Sequence, residues 1–222
     1  MRDRRLRTAV IGVGHFGRFH AEKYAHSDRA ELVAIVDRDL DRARELARRL
    51  KVDALDDFKP LFGKLDAVSV AVPTSAHFEV ARSCLENGVH VLVVKPITET
   101  LAQADALIDL AERNRLVLQV GHLQRFFLER INVGRFIDRP LYIESTRIAP
   151  FKPRGTHVSV TLDLMIHDID LILAMVKAEV VSVDAVGAPV VSSEEDIVNT
   201  RLRFANGCVA TVTASRVSLK TE

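Results

Sequence analysis

A short apolar run, Thr8-Ala9-Val10-Ile11, leads without a break into Gly12-Val13-Gly14-His15-Phe16-Gly17. Few local patterns constrain a chain more, because glycines at the first, third and sixth places each do a separate job. The first turns the chain tightly out of a strand, the second lets backbone approach a pyrophosphate, and the third lets the next helix pack on the strand. That helix, read from Arg18 to Ala25, aims the partly positive end of its dipole at the anion. A second strand, Glu31 to Val36, ends at Asp37, twenty residues after Gly17. An acidic side chain there accepts both hydroxyls of an adenosine ribose and repels a 2′-phosphate, which favours NAD over NADP. Arg38 pulls the other way, since a guanidinium beside the ribose can pair with a phosphate or stack on adenine. The bland reading of Asp37-Arg38-Asp39 is a solvated turn with a helix cap.

Beyond that unit, short β-branched runs alternate with amphipathic stretches as far as Gly121, the pattern of parallel strands joined by right-handed crossovers. The strands are read as Ala67 to Val72, Val89 to Val94 and Leu116 to Val120, with helices over Asp39 to Leu50, Phe78 to Glu86 and Ala102 to Arg113. The fold class is α/β, a Rossmann-type doubly wound parallel sheet over residues 1–121. After Gly121 the texture changes. Leu141 to Arg147, Val180 to Val186, Ile197 to Phe204 and Cys208 to Ser215 read as strands, and Asn206-Gly207 as a tight hairpin turn. Residues 122–222 are therefore expected to form an α+β domain, an open, mainly antiparallel sheet with the helix Leu162 to Val176 against it. Four strands and one helix ending close to a strand read as a domain cut short at its C-terminus.

Composition closes off several function classes. The chain has 222 residues, 48% of them hydrophobic, with 31 basic against 30 acidic side chains. That balance gives no field for nucleic acid, and the leader Arg2, Arg4, Arg5, Arg7 reads as solvated. No apolar run is long enough for a membrane span and no signal peptide is visible, which makes cytoplasm the expected location. Cys84 and Cys208 lack the spacing of a metal site and read as reduced packing residues.

Two groups of residues carry candidate chemistry. Lys95 lies at the carboxyl end of the strand Val89 to Val94, where ligands bind in open parallel sheets, and Pro96 fixes the backbone after it. On the helix Leu162 to Val176, at about 100° per residue, Asp163, His167 and Asp170 fall within about 60° of one another. Met165, Ile169, Ile172, Leu173 and Val176 take the opposite side, and Asp168 falls outside the polar cluster. A carboxylate one turn from an imidazole is an orienter of its ring. A metal site from His157, Asp163, His167 and Asp168 is disfavoured, since Asp163 and Asp168 diverge on the helix; no metal is expected.

Taken together, the chain resembles the glucose-fructose oxidoreductase and inositol dehydrogenase (Gfo/Idh/MocA) family. The resemblance rests on Gly12 to Gly17, Val72-Pro73-Thr74-Ser75-Ala76-His77, Lys95-Pro96, Gly121-His122 with Arg125-Phe126, and Asp163 through His167, and spans essentially the whole chain. It implies an N-terminal NAD(P)-binding domain and a C-terminal domain whose sheet supports substrate binding and homo-oligomer contacts, as a dimer or tetramer. It implies a catalytic trio on Lys95, Asp163 and His167. Cofactor contacts are expected from Gly12, Gly14, His15, Phe16, Gly17, Asp37, Arg38, Pro73, Thr74, His77 and Lys95. Substrate contacts are expected from Lys95, Arg125, Lys152, Arg154 and His167. Ala149 to Thr156 followed by Asp163 to Asp170 look most like the subgroup that oxidises the 3-hydroxyl of UDP-N-acetylglucosamine on the way to the amino sugars of lipid A. A cationic loop with Lys152 and Arg154 suits a nucleotide-sugar diphosphate. The alternatives are a dehydrogenase of an inositol or free sugar, and a non-catalytic protein that binds NAD or a nucleotide sugar.

Two departures from the family pattern stand out. Val94 replaces the usual glutamate before Lys95-Pro96, so a carboxylate that helps organise the cofactor and lysine region is missing, and weaker affinity or slower turnover is expected. Family members also run about a hundred residues longer.

Overall fold

A computed structural model describes residues 4–130, 132, 137–151 and 158–218. It divides into two units, Met1–Gly121 and His122–Glu222.

The first unit is a six-stranded parallel sheet. Its strands are β1 (Leu6–Ile11), β2 (Ala30–Val36), β3 (Asp53–Leu55), β4 (Ala67–Val70), β5 (His90–Val94) and β6 (Leu118–Gly121), in the order β3-β2-β1-β4-β5-β6. The helices are α1 (His15–Ala25), α2 (Leu40–Leu50), α3 (His77–Glu86) and α4 (Leu101–Arg113). Strand alternation sorts the apolar side chains between the two faces. Ala9, Ile11, Val68, Val70, Val91 and Val93 meet Ala81, Leu85 and Leu107 of α3 and α4 on one side. Val10, Leu32 and Ile35 meet Ala21, Ala43 and Leu46 of α1 and α2 on the other. A sheet covered on both faces needs runs that are apolar throughout, which is why β1, β4 and β5 show no polar alternation. Strand order reverses between β1 and β4, and the carboxyl ends of these strands form the edge at which such sheets take ligands.

The second unit holds β7 (Tyr142–Pro150), β8 (Val180–Ala188), β9 (Ile197–Phe204) and β10 (Val209–Ser218), ordered β7-β10-β9-β8. Two of its pairings are antiparallel, but β7 runs parallel to β10, so this open sheet is mixed. A π-helical turn, Thr161–Met165, leads into α6 (Ile166–Val176); Met165 of the turn and Ile172 and Val176 of the helix pack on Val198, Leu202, Ala210, Val212 and Ala214. The hairpin glycine Gly207 has φ +87°, a conformation that favours glycine.

Two elements and the basic leader also differ from the sequence reading. The short strand β3 and the helix α5 (Gln124–Arg130) carry too little periodicity to be seen. The basic leader is not simply solvated: Arg4 and Arg7 converge on Asp66 at 2.9 Å each, and Arg5 bonds the carbonyl of Ala30. Those guanidinium bonds, Arg7 foremost, hold the Asp66 carboxyl well below the usual range. Cys84 and Cys208 are free and buried; burial pushes the Cys84 thiol up to about 12, which keeps it inert at neutral pH.

Candidate functional site

The glycine loop follows from contacts rather than from motif alone. Gly12 has φ +87°, and a Cβ there would lie 2.8 Å from backbone atoms of Ala71 and Val72. A Cβ on Gly17 would lie 1.8 Å from the Gly12 carbonyl oxygen, so α1 packs on the strand only with glycine at that place. Gly14 is the opposite case: a Cβ there would meet nothing within 4 Å. It is also the residue from which α1 starts, with no side-chain cap on the helix end. The first turn of α1 therefore offers backbone N–H groups and a positive dipole end to an open approach, as a pyrophosphate requires.

Asp37, at the end of β2, is fixed against that loop. Its Oδ2 accepts the Val13 N–H at 2.8 Å and its Oδ1 the Asp39 N–H at 3.0 Å, and its side chain is only 10% exposed. The solvated-turn reading of Asp37 does not survive this geometry, although Asp39 does cap α2 through Arg42 N–H at 3.1 Å. Arg38 is exposed. The cation beside Asp37 is instead Arg42, which sequence reading passed over because it lies a turn into α2. His15, Phe16, Arg18 and Phe19 form an exposed group on the first turns of α1, with the His15 ring edge-on to both phenylalanines.

Pro73, Thr74 and His77 follow β4, and Lys95 follows β5, so they share the carboxyl edge of the sheet with the glycine loop. Pro73 is exposed and Thr74 and Lys95 are half-buried. His77 departs from its expected part as a cofactor contact. It is 1% exposed, with Nδ1 2.8 Å from the Pro96 carbonyl and Nε2 2.9 Å from the Val72 carbonyl. Its ring ties the two loops together and acts on the ligand edge only through them. Val94 is half-buried on β5 and pairs with Gly121 of β6.

In the second unit, Asp163 lies in the π-helical turn and His167 in the first turn of α6; both are half-buried. The π turn widens the spacing between Asp163 and α6, while α6 itself is regular. Leu173 is 41% exposed rather than on the buried side, while Asp168 and Asp170 are buried. Asp168 falls on the same stripe as Met165 and Ile172, facing the sheet, and is bonded by Arg147 at 2.6 and 2.8 Å and by Ser145 at 2.9 Å. Asp170, expected beside His167 on a polar face, is bonded by Arg125 through Nε and Nη2 at 2.7 and 2.5 Å, with His122 Nδ1 3.8 Å away. Arg125 thus joins a buried carboxylate, which leaves Nη1 outside that pair. Among the described residues, no group of three or more His, Cys, Asp or Glu side chains comes together as a metal site would need. Lys152, Arg154 and His157 lie outside the described residues.

Buried polar bonds also hold the segment that leads to Asp163. Asp196 accepts N–H bonds from Val190, Val191 and Ser192 at 2.7 to 2.8 Å and the Arg216 guanidinium at 2.6 Å. Burial alone would raise this carboxyl, but the donors outweigh it and hold it far below the usual range. Arg216 in turn donates to the Val158 carbonyl at 2.9 Å, just before the π turn.

The residues of the first unit fit a bound dinucleotide: the open side of Gly14, the uncapped start of α1 and the oriented Asp37 carboxylate meet its pyrophosphate and ribose. Comparison with known proteins agrees. The family described as "Oxidoreductase family, NAD-binding Rossmann fold" (GFO_IDH_MocA) matches residues 6–122, and the GFO/IDH/MocA C-terminal domain matches 139–222. UDP-N-acetylglucosamine 3-dehydrogenase of Acidithiobacillus ferrooxidans is 43% identical, over 96% of this chain and 67% of that protein. Its solved structure superposes with a TM-score of 0.90, covering 98% of this chain and 72% of that one. Myo-inositol 2-dehydrogenase of Thermotoga maritima is 31% identical over 95% of this chain and 69% of that protein. Scyllo-inositol 2-dehydrogenase (NAD(+)) of Bacillus subtilis is 29% identical over 97% of this chain and 69% of that protein.

Proposed function

The chain belongs to the Gfo/Idh/MocA oxidoreductase family, and we propose that within it the chain oxidises the 3-hydroxyl of UDP-N-acetylglucosamine to the 3-ketone. Membership makes it an NAD-binding dehydrogenase acting on CH–OH groups of sugars or polyols. One observation carries the choice of substrate: identity to the UDP-sugar enzyme clearly exceeds identity to the two inositol enzymes, over the same share of the chain.

Oxidation of a secondary alcohol needs a base for the hydroxyl proton and an acceptor for the hydride. Bound nicotinamide supplies the acceptor. We assign the base to His167 and the support of its imidazole to Asp163, one turn earlier. Lys95 is assigned to the developing alkoxide, which it stabilises by charge and hydrogen bonding. Lys152 and Arg154 are assigned to the diphosphate on charge alone, and Arg125 to the substrate through the donors its pair with Asp170 leaves over. We further propose assembly as a dimer or tetramer through the open face of the second sheet.

The test mixes purified chain, NAD and UDP-N-acetylglucosamine and follows reduced cofactor by absorbance, with a keto acid added as second acceptor where release or recycling limits turnover. A ketone on the sugar is the expected product. Lys95→Ala and His167→Ala should each lower turnover at least about a hundredfold while NADH still binds. Oxidation of myo-inositol in preference to the UDP-sugar would move the chain to the inositol branch. Binding of both ligands without chemistry would make it a non-catalytic binder.

A further inference from the structure

Around the end of β2, three charged side chains form one linked group. Asp37 is locked by the Val13 and Asp39 N–H groups, so its carboxylate cannot swing away from an incoming ribose. Arg42 on the first turn of α2 places Nη1 3.5 Å from Asp37 Oδ2 and Nη2 3.0 Å from Asp39 Oδ2. Its side chain is nevertheless 52% exposed, so the guanidinium is neutralised from within while remaining open to solvent. Arg38, adjacent to Asp37 in sequence, makes no ion pair among the described residues.

We propose that Arg42 is a masked 2′-phosphate ligand, and that the charge balance among Asp37, Asp39 and Arg42 sets how strongly the chain prefers NADH to NADPH. A planar guanidinium can meet a phosphate with two parallel N–H bonds, and the N-terminal end of α2 adds partial positive charge at the same place. In the native chain both Nη atoms of that fork lie within ion-pair distance of a carboxylate, and a 2′-phosphate brought to Asp37 meets a fixed negative charge. Removing the two carboxylate charges turns the group from net negative to net positive and leaves the guanidinium charge unbalanced. This inference rests on the dinucleotide reading of the glycine loop and not on the choice of sugar.

The experiment measures NADH and NADPH affinity of the whole chain by fluorescence titration, with no turnover required. In D37N/D39S, where Asn keeps an acceptor for Val13 and Ser keeps a cap for α2, the NADPH-to-NADH affinity ratio should rise at least about thirtyfold over the native chain. Adding R42M should remove most of that gain, whereas adding R38M should leave it within about threefold. Should the double variant fail to fold, R42M in the native chain still tests the idea: NADPH affinity should drop at least about fivefold more than NADH affinity. A gain that survives R42M, or one lost with R38M, overturns the proposal, as does an R42M chain with an unchanged ratio. A native chain that binds neither nucleotide overturns this proposal and the cofactor reading together, whereas failure of the sugar assay leaves it standing.

Discussion

Gly14 and Gly17 stand three residues apart in one turn, yet a methyl group on each would meet opposite surroundings. On Gly17 it would sit 1.8 Å from the Gly12 carbonyl, and on Gly14 in open space. Gly17→Ala should therefore destabilise the first unit by about 2 kcal/mol or more, the scale of forced overpacking. Gly14→Ala should melt like the native chain but bind NADH at least about tenfold more weakly, because its methyl group fills the phosphate approach. Thermal melts and NADH titration of the two variants check this, and equal melting temperatures would show that Gly17 is not a packing requirement. The glycines and Asp37 were legible in the sequence because spacing along a continuous strand, turn and helix determines where they fall. Arg42 and His77 were not, since one acts from a turn of α2 and the other through carbonyls of two separate loops. Val94 makes a residue-scale prediction of its own: Val94→Glu should strengthen NADH binding or raise turnover, and no change in either would show that the family carboxylate is dispensable here.

Elements were legible where periodicity runs long enough. The runs of β1, β4 and β5, buried on both faces, announce themselves; β3, at Asp53–Leu55, cannot. On α6 the 100° wheel set Leu173, at the margin of the apolar stripe, on the buried side and missed the fates of Asp168 and Asp170, because Arg147 and Arg125, which bury those carboxylates, arrive from distant positions in the sequence. The same helix scale yields a pH prediction for α1. His20 Nδ1 lies 3.0 Å from Ser69 Oγ, which also bonds the Tyr24 hydroxyl at 2.8 Å, and burial lowers the His20 pKa. An unfolded chain then binds a proton at a higher pH than the folded one, so this contribution to stability is complete above about pH 6.5 and fades as pH falls toward the lower folded value. Melting temperature should decline between pH 7.5 and 5, and His20→Gln, which cannot titrate, should show a shallower decline. Identical slopes in the two chains would remove His20 from the pH response.

At the scale of the whole molecule, the two units differ in how their sheets are covered. Both faces of the first sheet lie under helices, whereas α6 covers only one face of the second. Strand pairing places Tyr142, Glu144, Thr211, Thr213, Asn199, Arg201, Arg203, Asp184 and Val186 on its other face. The first unit was legible almost entirely, since a two-sided parallel sheet writes its burial into unbroken apolar runs. The second was legible as an open, mainly antiparallel sheet with one helix against it, but the parallel pairing of β7 with β10 was not, because that pairing is not a property of either strand's own sequence. The face away from α6 is mostly polar and carries both signs of charge among the described residues, and such a face can match itself across a two-fold axis, where Arg201 and Arg203 of one copy meet Glu144 or Asp184 of another. A specific contact of this kind needs about 1,200 to 2,000 Å² in total, an area within reach of a four-stranded face. Sedimentation velocity across a concentration series should therefore show a dimer or a larger closed assembly. Arg201→Glu with Arg203→Glu should shift it toward monomer with an unchanged melting temperature for the dilute chain. Salt should weaken the native assembly in the same direction, because exposed charge pairs are screened over about 8 Å at physiological ionic strength. A native chain that sediments as a monomer at every concentration would refute the assembly, and a double variant that assembles as well as the native chain would place its contacts elsewhere than on this face.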